Sequence, residues 1–385
     1  MTGTDVVSLT CRLIGAASEN PPGNEGRMVS ELTAVAADLG LSATVEEALP
    51  GSRSNVLISP GPLRPGTPMM MILGHSDVVP AGPGWTTDPF VGQLIDGQIV
   101  GRGSCDMKGG LAAALCAMAE LPGQPDGLDL LLAVTVDEEE GGRGAQQLVA
   151  AHPEWDVRVC VVAEPTGLQV VRASKGNSYH GIEVRGAAAH ASSPDNGRSA
   201  ITAAARIVLA LADWHRELAL AEDPLVGAAT WNVGTIEGGT STAMVPDTCR
   251  IAVDRRLTAG QTAAQVEEEL TRRISEMRLD LEGIAVTVDT QMEMPGFVTA
   301  EDDPFVQQAL RTATAVTGTA QPIVGWRAAC DGGFVQRAHP GASIVILGPG
   351  DVTGQAHRPN ESVPAEQVVQ AAEVFSRLFA EIDLG

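Results

Sequence analysis

The residues best suited to chemistry are two histidines and a set of carboxylates, and each follows an apolar run. His75 and Asp77 follow the hydrophobic stretch 69–73. Asp106 follows 98–100 after the turn Gly101-Arg102-Gly103. Glu138 and Glu139 follow 128–136, which is almost wholly apolar, and Glu164 follows 157–162. His357 lies in the loop beyond 343–347. In open α/β sheets ligands bind beyond the carboxyl ends of the strands. Nitrogen and oxygen donors without a thiolate cluster suit zinc, cobalt or manganese, not a structural cysteine site. So many carboxylates on one rim would repel strongly without a cation. Two metal ions sharing one carboxylate would satisfy them and would supply an acidified water and a Lewis acid for a carbonyl oxygen. Asp77, two residues past His75 on extended chain, would orient that imidazole. One member of the Glu138–Glu139 pair then stays free of metal and can take a proton from the water. Each residue alone reads as a surface charge or a turn residue; their conjunction at several strand ends carries the inference.

The elements that must hold these residues alternate strand and helix. Helices are predicted over 5–16 and 25–39, with strands over 42–46, 55–58 and 69–73. A short strand at 98–100 precedes an Ala/Leu helix over 107–119. Segment 128–136 is the strongest strand, apolar on both faces. A helix over 143–151 and a strand over 157–162 follow. Long crossovers between such strands imply a layered α/β sheet. From about residue 177 the texture changes. Strand 180–185, helix 198–215, strands 230–236 and 250–255, helix 263–277 and strand 284–289 give a β-α-β-β-α-β order. That order suits a small α+β, ferredoxin-like sandwich. A helix over 303–316 and a buried strand over 343–347 return to the first pattern. The reading is an α/β main domain whose central mixed, mostly parallel sheet is flanked by helices. It is discontinuous, over 1–177 and 294–385, with an inserted domain at 178–293.

Composition narrows the partners. The 385 residues hold 48 acids and 25 bases, a net charge of −23. Nucleic-acid binding needs a basic face, and so does an anionic membrane surface, so neither is expected as a partner. No apolar run reaches the length of a spanning helix. Residues 1–13 lack the basic start of a secretory signal. Six scattered cysteines without a CxxC pair fit free thiols in a cytoplasmic protein. Only two of the 25 bases are lysines, Lys108 and Lys175.

The stretches GHSDVVP (74–80), GWTTDPF (84–90), GRGSCDMKGG (101–110), VDEEEGG (136–142), AEPT (163–166) and GPGDVTGQAHRPNE (348–361) carry a resemblance. Together they resemble the metallopeptidase family of acetylornithine deacetylase, succinyl-diaminopimelate desuccinylase, aminoacylase and glutamate-releasing carboxypeptidases. The resemblance runs across nearly the whole chain. It implies a dinuclear-metal hydrolase that cleaves the amide bond of an N-acyl amino acid, with two divalent ions, zinc first and cobalt or manganese as alternatives. It implies His75, Asp106 and Glu164 on one ion, and bridging Asp106, Glu139 and His357 on the other. Glu138 would be the general acid/base on the metal-bridging water, and Asp77 the orienting aspartate. The inserted domain would be a lid and dimerisation domain, so a homodimer is expected. In AAAHASSPDNG (187–197), His190 would polarise the scissile carbonyl, in the family often from the neighbouring subunit. Arg256, in VDRRL, matches an arginine that contacts the substrate carboxylate, a task suited to a guanidinium fork. Plain structural roles are the alternatives for His190 and Arg256, and Arg255 competes with Arg256.

There are departures. Ala243-Met244-Val245-Pro246 stands where the family often has an asparagine, and Cys330-Asp331-Gly332-Gly333 where desuccinylases tend to have Asp-Ala-Arg. Ser-Lys-Gly at 174–176 and Ala-His-Arg-Pro-Asn-Glu at 356–361 look more like the acetylornithine deacetylase branch. The expected substrate is a small N-acyl amino acid or short peptide. A dipeptidase, carboxypeptidase, desuccinylase or N-carbamoyl amidohydrolase is the alternative within the enzyme class. A catalytically silent metal-dependent binder is the alternative outside it. Cys105, beside Asp106, is expected to point away from the ligands.

Overall fold

The structure, a computed structural model, describes residues 5–51 and 53–382. The first four residues of the amino-terminal stretch read above lie outside the described residues. The chain forms two compact units. One runs up to Ala173 and continues over Phe297–Gly325 and from Cys330 onward; the other comprises Ser174–Gly296 and Trp326–Ala329.

The first unit is built on a nine-stranded mixed sheet. Its order is Ser42–Leu49, Arg53–Ser59, Asp129–Thr135, Pro68–His75, Asp156–Val162, Ser343–Ile346, Val170–Ser174 and Phe297–Val298, with Ile323–Trp326 also paired to Val170–Ser174. The four central strands, 129–135, 68–75, 156–162 and 343–346, run parallel to one another. Their apolar runs are buried on both faces. Met70, Ile72, Leu130, Leu132, Val159 and Val161 face a core shared with helices Val6–Gly15, Gly26–Asp38, Gly109–Ala119, Pro304–Thr317 and Ala365–Glu381. On the other face lie helices Arg143–Ala151 and Gly332–Ala338. Parallel strands covered by crossover helices explain why the strand sequences do not alternate. The carboxyl ends of the four parallel strands share one rim, and this is the feature that positions the site.

The second unit is a four-stranded antiparallel sheet in the order Thr230–Gly238, Thr248–Leu257, Gly176–Arg185 and Ala285–Met294. Helices Ala200–Leu218 and Ala263–Glu276 cover one face. The second helix opens with a capping box between Thr262 and Gln265, which satisfies the amide donors of its first turn. Ile182, Val184, Ile251 and Val253 pack against Ala204, Ile207, Val266 and Leu270.

Two departures from the sequence reading bear on function. The helix expected from residue 107 begins at Gly109, because Ser104–Lys108 forms a separate turn. Within it Asp106 (φ −118°, ψ 95°) and Met107 leave helical geometry. The strands 170–174, 297–298 and 323–326, and the helices 332–338 and 365–381, were not anticipated.

Gly110 lets the 109–119 helix sit against the end of strand 156–162. A Cβ added there would lie 2.1 Å from the Ala163 carbonyl oxygen, inside backbone contact distance. Gly110→Ala should therefore lower stability despite alanine's better helix propensity, by about 1–3 kcal/mol. A urea unfolding midpoint equal to or above the wild type would contradict this.

Candidate metal centre

His75 closes strand 68–75 and is 2 % exposed. Its Nδ1 lies 2.9 Å from the Asp77 main-chain oxygen, and its Nε2 lies 3.0 Å from Asp106 Oδ1 and 3.5 Å from Glu164 Oε1. Nδ1–H donating to the carbonyl aims Nε2 at the carboxylates. The second Asp106 oxygen, Oδ2, lies 3.1 Å from His357 Nε2, which is 3.2 Å from Glu139 Oε2. Asp106 thus presents one oxygen to His75 and the other to His357. Two donor groups, His75–Asp106–Glu139 and His75–Glu138–Glu164, each have their ligand atoms within 4.8 Å of one another.

The glutamate pair is held by its backbone. Asp137 adopts φ 70° and starts the tight turn Glu138–Glu140. Its carboxylate accepts from Arg53 at 2.8 Å, Arg143 at 2.5 Å and Asn20 at 3.2 Å. The Asp77 carboxylate accepts the N–H groups of Glu138 and Glu139, each at 3.2 Å, and the Asn20 amide at 2.9 Å. Its Oδ1 is 3.6 Å from the His75 ring, farther than its own carbonyl. Asp77 therefore orients His75 through the main chain and spends its carboxylate on the two glutamates.

The electrostatics follow from burial among like charges. Burial disfavours the charged form of His75, but Asp106 and Glu164 outweigh it and hold the imidazole well above its ordinary pKa. Asp106 and Glu139 raise His357 to about 10. Burial opposes ionisation of Asp106, yet the two imidazoles keep its pKa below the ordinary carboxylate range. Burial, reinforced by Asp106, pushes Glu164 up to about 8. Burial also lifts Glu138 well above its ordinary value; His75 opposes this, and Glu164 and Asp331 add to it. The donors are all nitrogen or oxygen, four of them carboxylates, and they converge from opposite sides of Asp106. This set fits divalent cations of the zinc, cobalt and manganese kind. The Cys105 sulfur is buried against Gly350 and belongs to neither donor group.

His190 and Arg256 lie in the second unit. His190 is exposed on strand Ala189–His190, paired with Met244–Val245. Its Nδ1 accepts the Ser192 N–H at 3.2 Å, so in the neutral ring Nε2 carries the proton. Arg256 is part-exposed and pairs with Asp254 at 3.0 Å. Arg255 is 1 % exposed, with its guanidinium 5.1 Å above the Trp231 ring. That burial gives Arg255 a structural place and leaves Arg256 as the accessible guanidinium.

Some site residues carried no assignment in the sequence. Asn20, which links Asp77 to Asp137, has no motif. Asp331 is buried, accepts the Thr135 hydroxyl at 2.6 Å, and is raised to about 7 by burial. Glu361 accepts the N–H groups of Gly103, Cys105 and Asp106; it stands inside a quoted stretch, and that was its signal. The two lysines each reach a single carbonyl: Lys108 Nζ donates to Ala16 at 2.8 Å, and Lys175 Nζ donates to Ala228. A compact ammonium suits a single carbonyl better than a forked guanidinium does.

Residues 71–381 match the sequence pattern of peptidase family M20/M25/M40. The chain is 33% identical over 320 residues to an acetylornithine deacetylase of Myxococcus xanthus, covering 82% of this chain and 80% of that one. Among solved structures, an M20 family metallo-carboxypeptidase of Sulfolobus solfataricus superposes with a TM-score of 0.80 at 20% identity, over 98% of both chains. A dinuclear metal binding peptidase of the M20 family from Bacillus subtilis gives a TM-score of 0.68 at 15% identity, over 97% of this chain and 96% of that one. These structures share the α/β fold with its helix-flanked mixed sheet. On the family match and the deacetylase relative together, the chain belongs to peptidase family M20/M25/M40 and is a metal-dependent hydrolase acting on amide bonds.

Proposed function

We propose that the protein removes the acyl group from an N-acyl amino acid, using two divalent metal ions, zinc first among them. The observation that carries this reading is the split of Asp106, one oxygen beside His75 and the other beside His357, with Glu138 next to both His75 and Glu164. His75, Asp106 and Glu164 would hold one ion, and Asp106, Glu139 and His357 the other. When bound, the ions would lower the pKa of a water and polarise the scissile carbonyl.

The chain's own residues do the rest. Glu138 takes a proton from the attacking water as its oxygen bonds to the amide carbon. The raised affinity of Glu138 for that proton suits the task. The C–N bond then breaks, and Glu138 gives the proton to the leaving amine. Asp77 keeps Glu138 in place through its backbone amide. His190, protonated on Nε2, would donate to the carbonyl oxygen, and Arg256 would bind the substrate carboxylate.

The 33% identity to an enzyme named for deacetylating acetylornithine supports the deacylase reading. A carboxypeptidase or dipeptidase is the second reading, favoured by the fold likeness to the Sulfolobus solfataricus carboxypeptidase. Gly332 and Gly333 follow Asp331 without an arginine, which argues against a succinyl group. Six cysteines, none in a disulfide among the described residues, support a cytoplasmic setting. The second unit's edge strands, 230–238 and 285–294, support pairing with a second copy.

Glu138→Gln should retain both metal ions while kcat falls by about 10²–10⁴; turnover close to wild type would remove Glu138 from the proton transfer. A panel of N-acetyl, N-succinyl and N-carbamoyl amino acids and dipeptides should show highest kcat/KM for an N-acetyl amino acid. Preference for a dipeptide would establish the second reading instead.

Metal loading should release protons. The metal-free His75, His357 and Glu164 bind protons more tightly than free side chains do, His357 raised to about 10 and Glu164 to about 8. Ligation requires those protons to leave, so affinity should rise with pH toward the His357 value of about 10 and weaken as pH falls. Calorimetry at pH 7 in buffers of different ionisation enthalpy should count about two or more protons released; a count of zero would contradict this ligand set.

A further inference from the structure

We propose that Glu361 is a positioning residue for the metal centre, its carboxylate and the paired Arg102 fixing where Asp106 and His357 stand. The inference rests on the ligand set proposed above.

Glu361 is 1 % exposed and belongs to neither donor group of the site. Its Oε1 accepts the N–H groups of Cys105 and Asp106, both at 3.0 Å. Its Oε2 accepts the Gly103 N–H at 3.1 Å and Arg102 Nη1 at 2.5 Å. The 104–108 turn leaves helical geometry at Asp106, so regular hydrogen bonding does not supply these buried amides with acceptors. Buried backbone donors need partners, and here a side chain provides them. The shared carboxylate bridging the two proposed ions is therefore hung from Glu361 by its own amide.

The same pair reaches two further rim segments. Arg102 Nη2 lies 3.3 Å from the carbonyls of Pro80 and Ala81, just past Asp77, and Nη1 lies 3.5 Å from the carbonyl of Arg358, next to His357. The Arg102 guanidinium sits 5.3 Å above the Trp85 ring. The Glu361 main-chain oxygen accepts the Gly101 N–H at 3.0 Å. One buried ion pair thus ties together the segments that carry His75, Asp106 and His357. Asp106 and His357 both belong to the ion on the Glu139 side, whereas the His75 side shares only Asp106. The effect should fall more heavily on the Glu139-side ion.

Glu361→Gln keeps the size of the side chain but turns an NH2 toward the Arg102 and Gly103 donors. Titration of the full-length protein with Co²⁺ against a chelator should show one of the two ions bound 10–100-fold more weakly than in wild type and the other less affected. The cobalt absorption spectrum should shift, and a Glu361→Gln/Arg102→Gln double variant, whose two amides can pair, should recover part of the affinity. Should Glu361→Gln fail to fold, Arg102→Lys keeps the charge, loses the fork, and should weaken the same ion. A lowered melting temperature with unchanged cobalt affinity and spectrum in these variants would reduce the pair to a merely structural role and overturn the inference. The underlying ligand assignment is tested separately: full two-ion binding by an Asp106→Ala variant would sink that assignment, whatever Glu361 does.

Discussion

Everything at this rim follows from bringing like charges together where water screens them only in part. Asp106, Glu138, Glu139 and Glu164 converge within a few ångströms, with Asp77 and Asp331 behind them. Two unit charges 4 Å apart interact by about 4 kcal/mol at an effective dielectric of 20, so several such pairs rival the net stability of a domain. Imidazoles offset part of that cost in the metal-free protein, and bound cations would offset more. The remainder of the unit holds these groups in place against their repulsion. Four parallel strands buried on both faces, a helix seated through Gly110, and a framework of Asn20, Arg53, Arg143 and Arg102 all serve that end.

Rigidity here comes from ionic contacts whose polar atoms are largely satisfied. Glu25 and Asp137 share Arg53, Arg143 closes the second side of Asp137, and Glu361 fills both of its oxygens. Breaking one partner of such a buried pair costs about 3–5 kcal/mol, since the other is left charged and alone. These contacts lie just behind the reactive groups. The ligands therefore depend on a layer that touches no substrate, as His75 does on the Asp77 carbonyl.

Much of this was legible in the sequence, and the limits have physical causes. The central strands and the helices 143–151 and 263–276 could be read because they are long and strongly patterned. The ligand candidates stood out because acids and histidines at the ends of apolar runs are conspicuous. The short edge strands 170–174, 297–298 and 323–326 were missed, since strand pairing at an edge is set by distant neighbours. The helix 365–381 should have been seen: Val368, Ala371, Val374, Phe375 and Leu378 recur at helical spacing. The turn at 104–108 could not be, because its geometry is imposed by Glu361, more than 250 residues away in sequence. The Asp77 carboxylate serving the glutamates instead of the imidazole was equally hidden, because alternation along a strand gives direction but not the nearest partner.

Strand 343–346 lies between 156–162 and 170–174, and this has a consequence for how the molecule is made. A ribosome completes both outer strands, the later ending at Ser174, long before the one that belongs between them at Ser343–Ile346, with about 170 residues of chain still to come. At ~5–20 residues per second that interval lasts on the order of 10–40 s. Throughout it the nascent sheet offers an apolar, unpaired slot, the kind of edge that recruits other chains. The second unit, whose sheet is contiguous in sequence over 176–294, emerges during the same interval. The slot closes only when the stretch that delivers His357 and Glu361 arrives, so completion of the sheet and arrival of the last ligands are one event in the life of the chain.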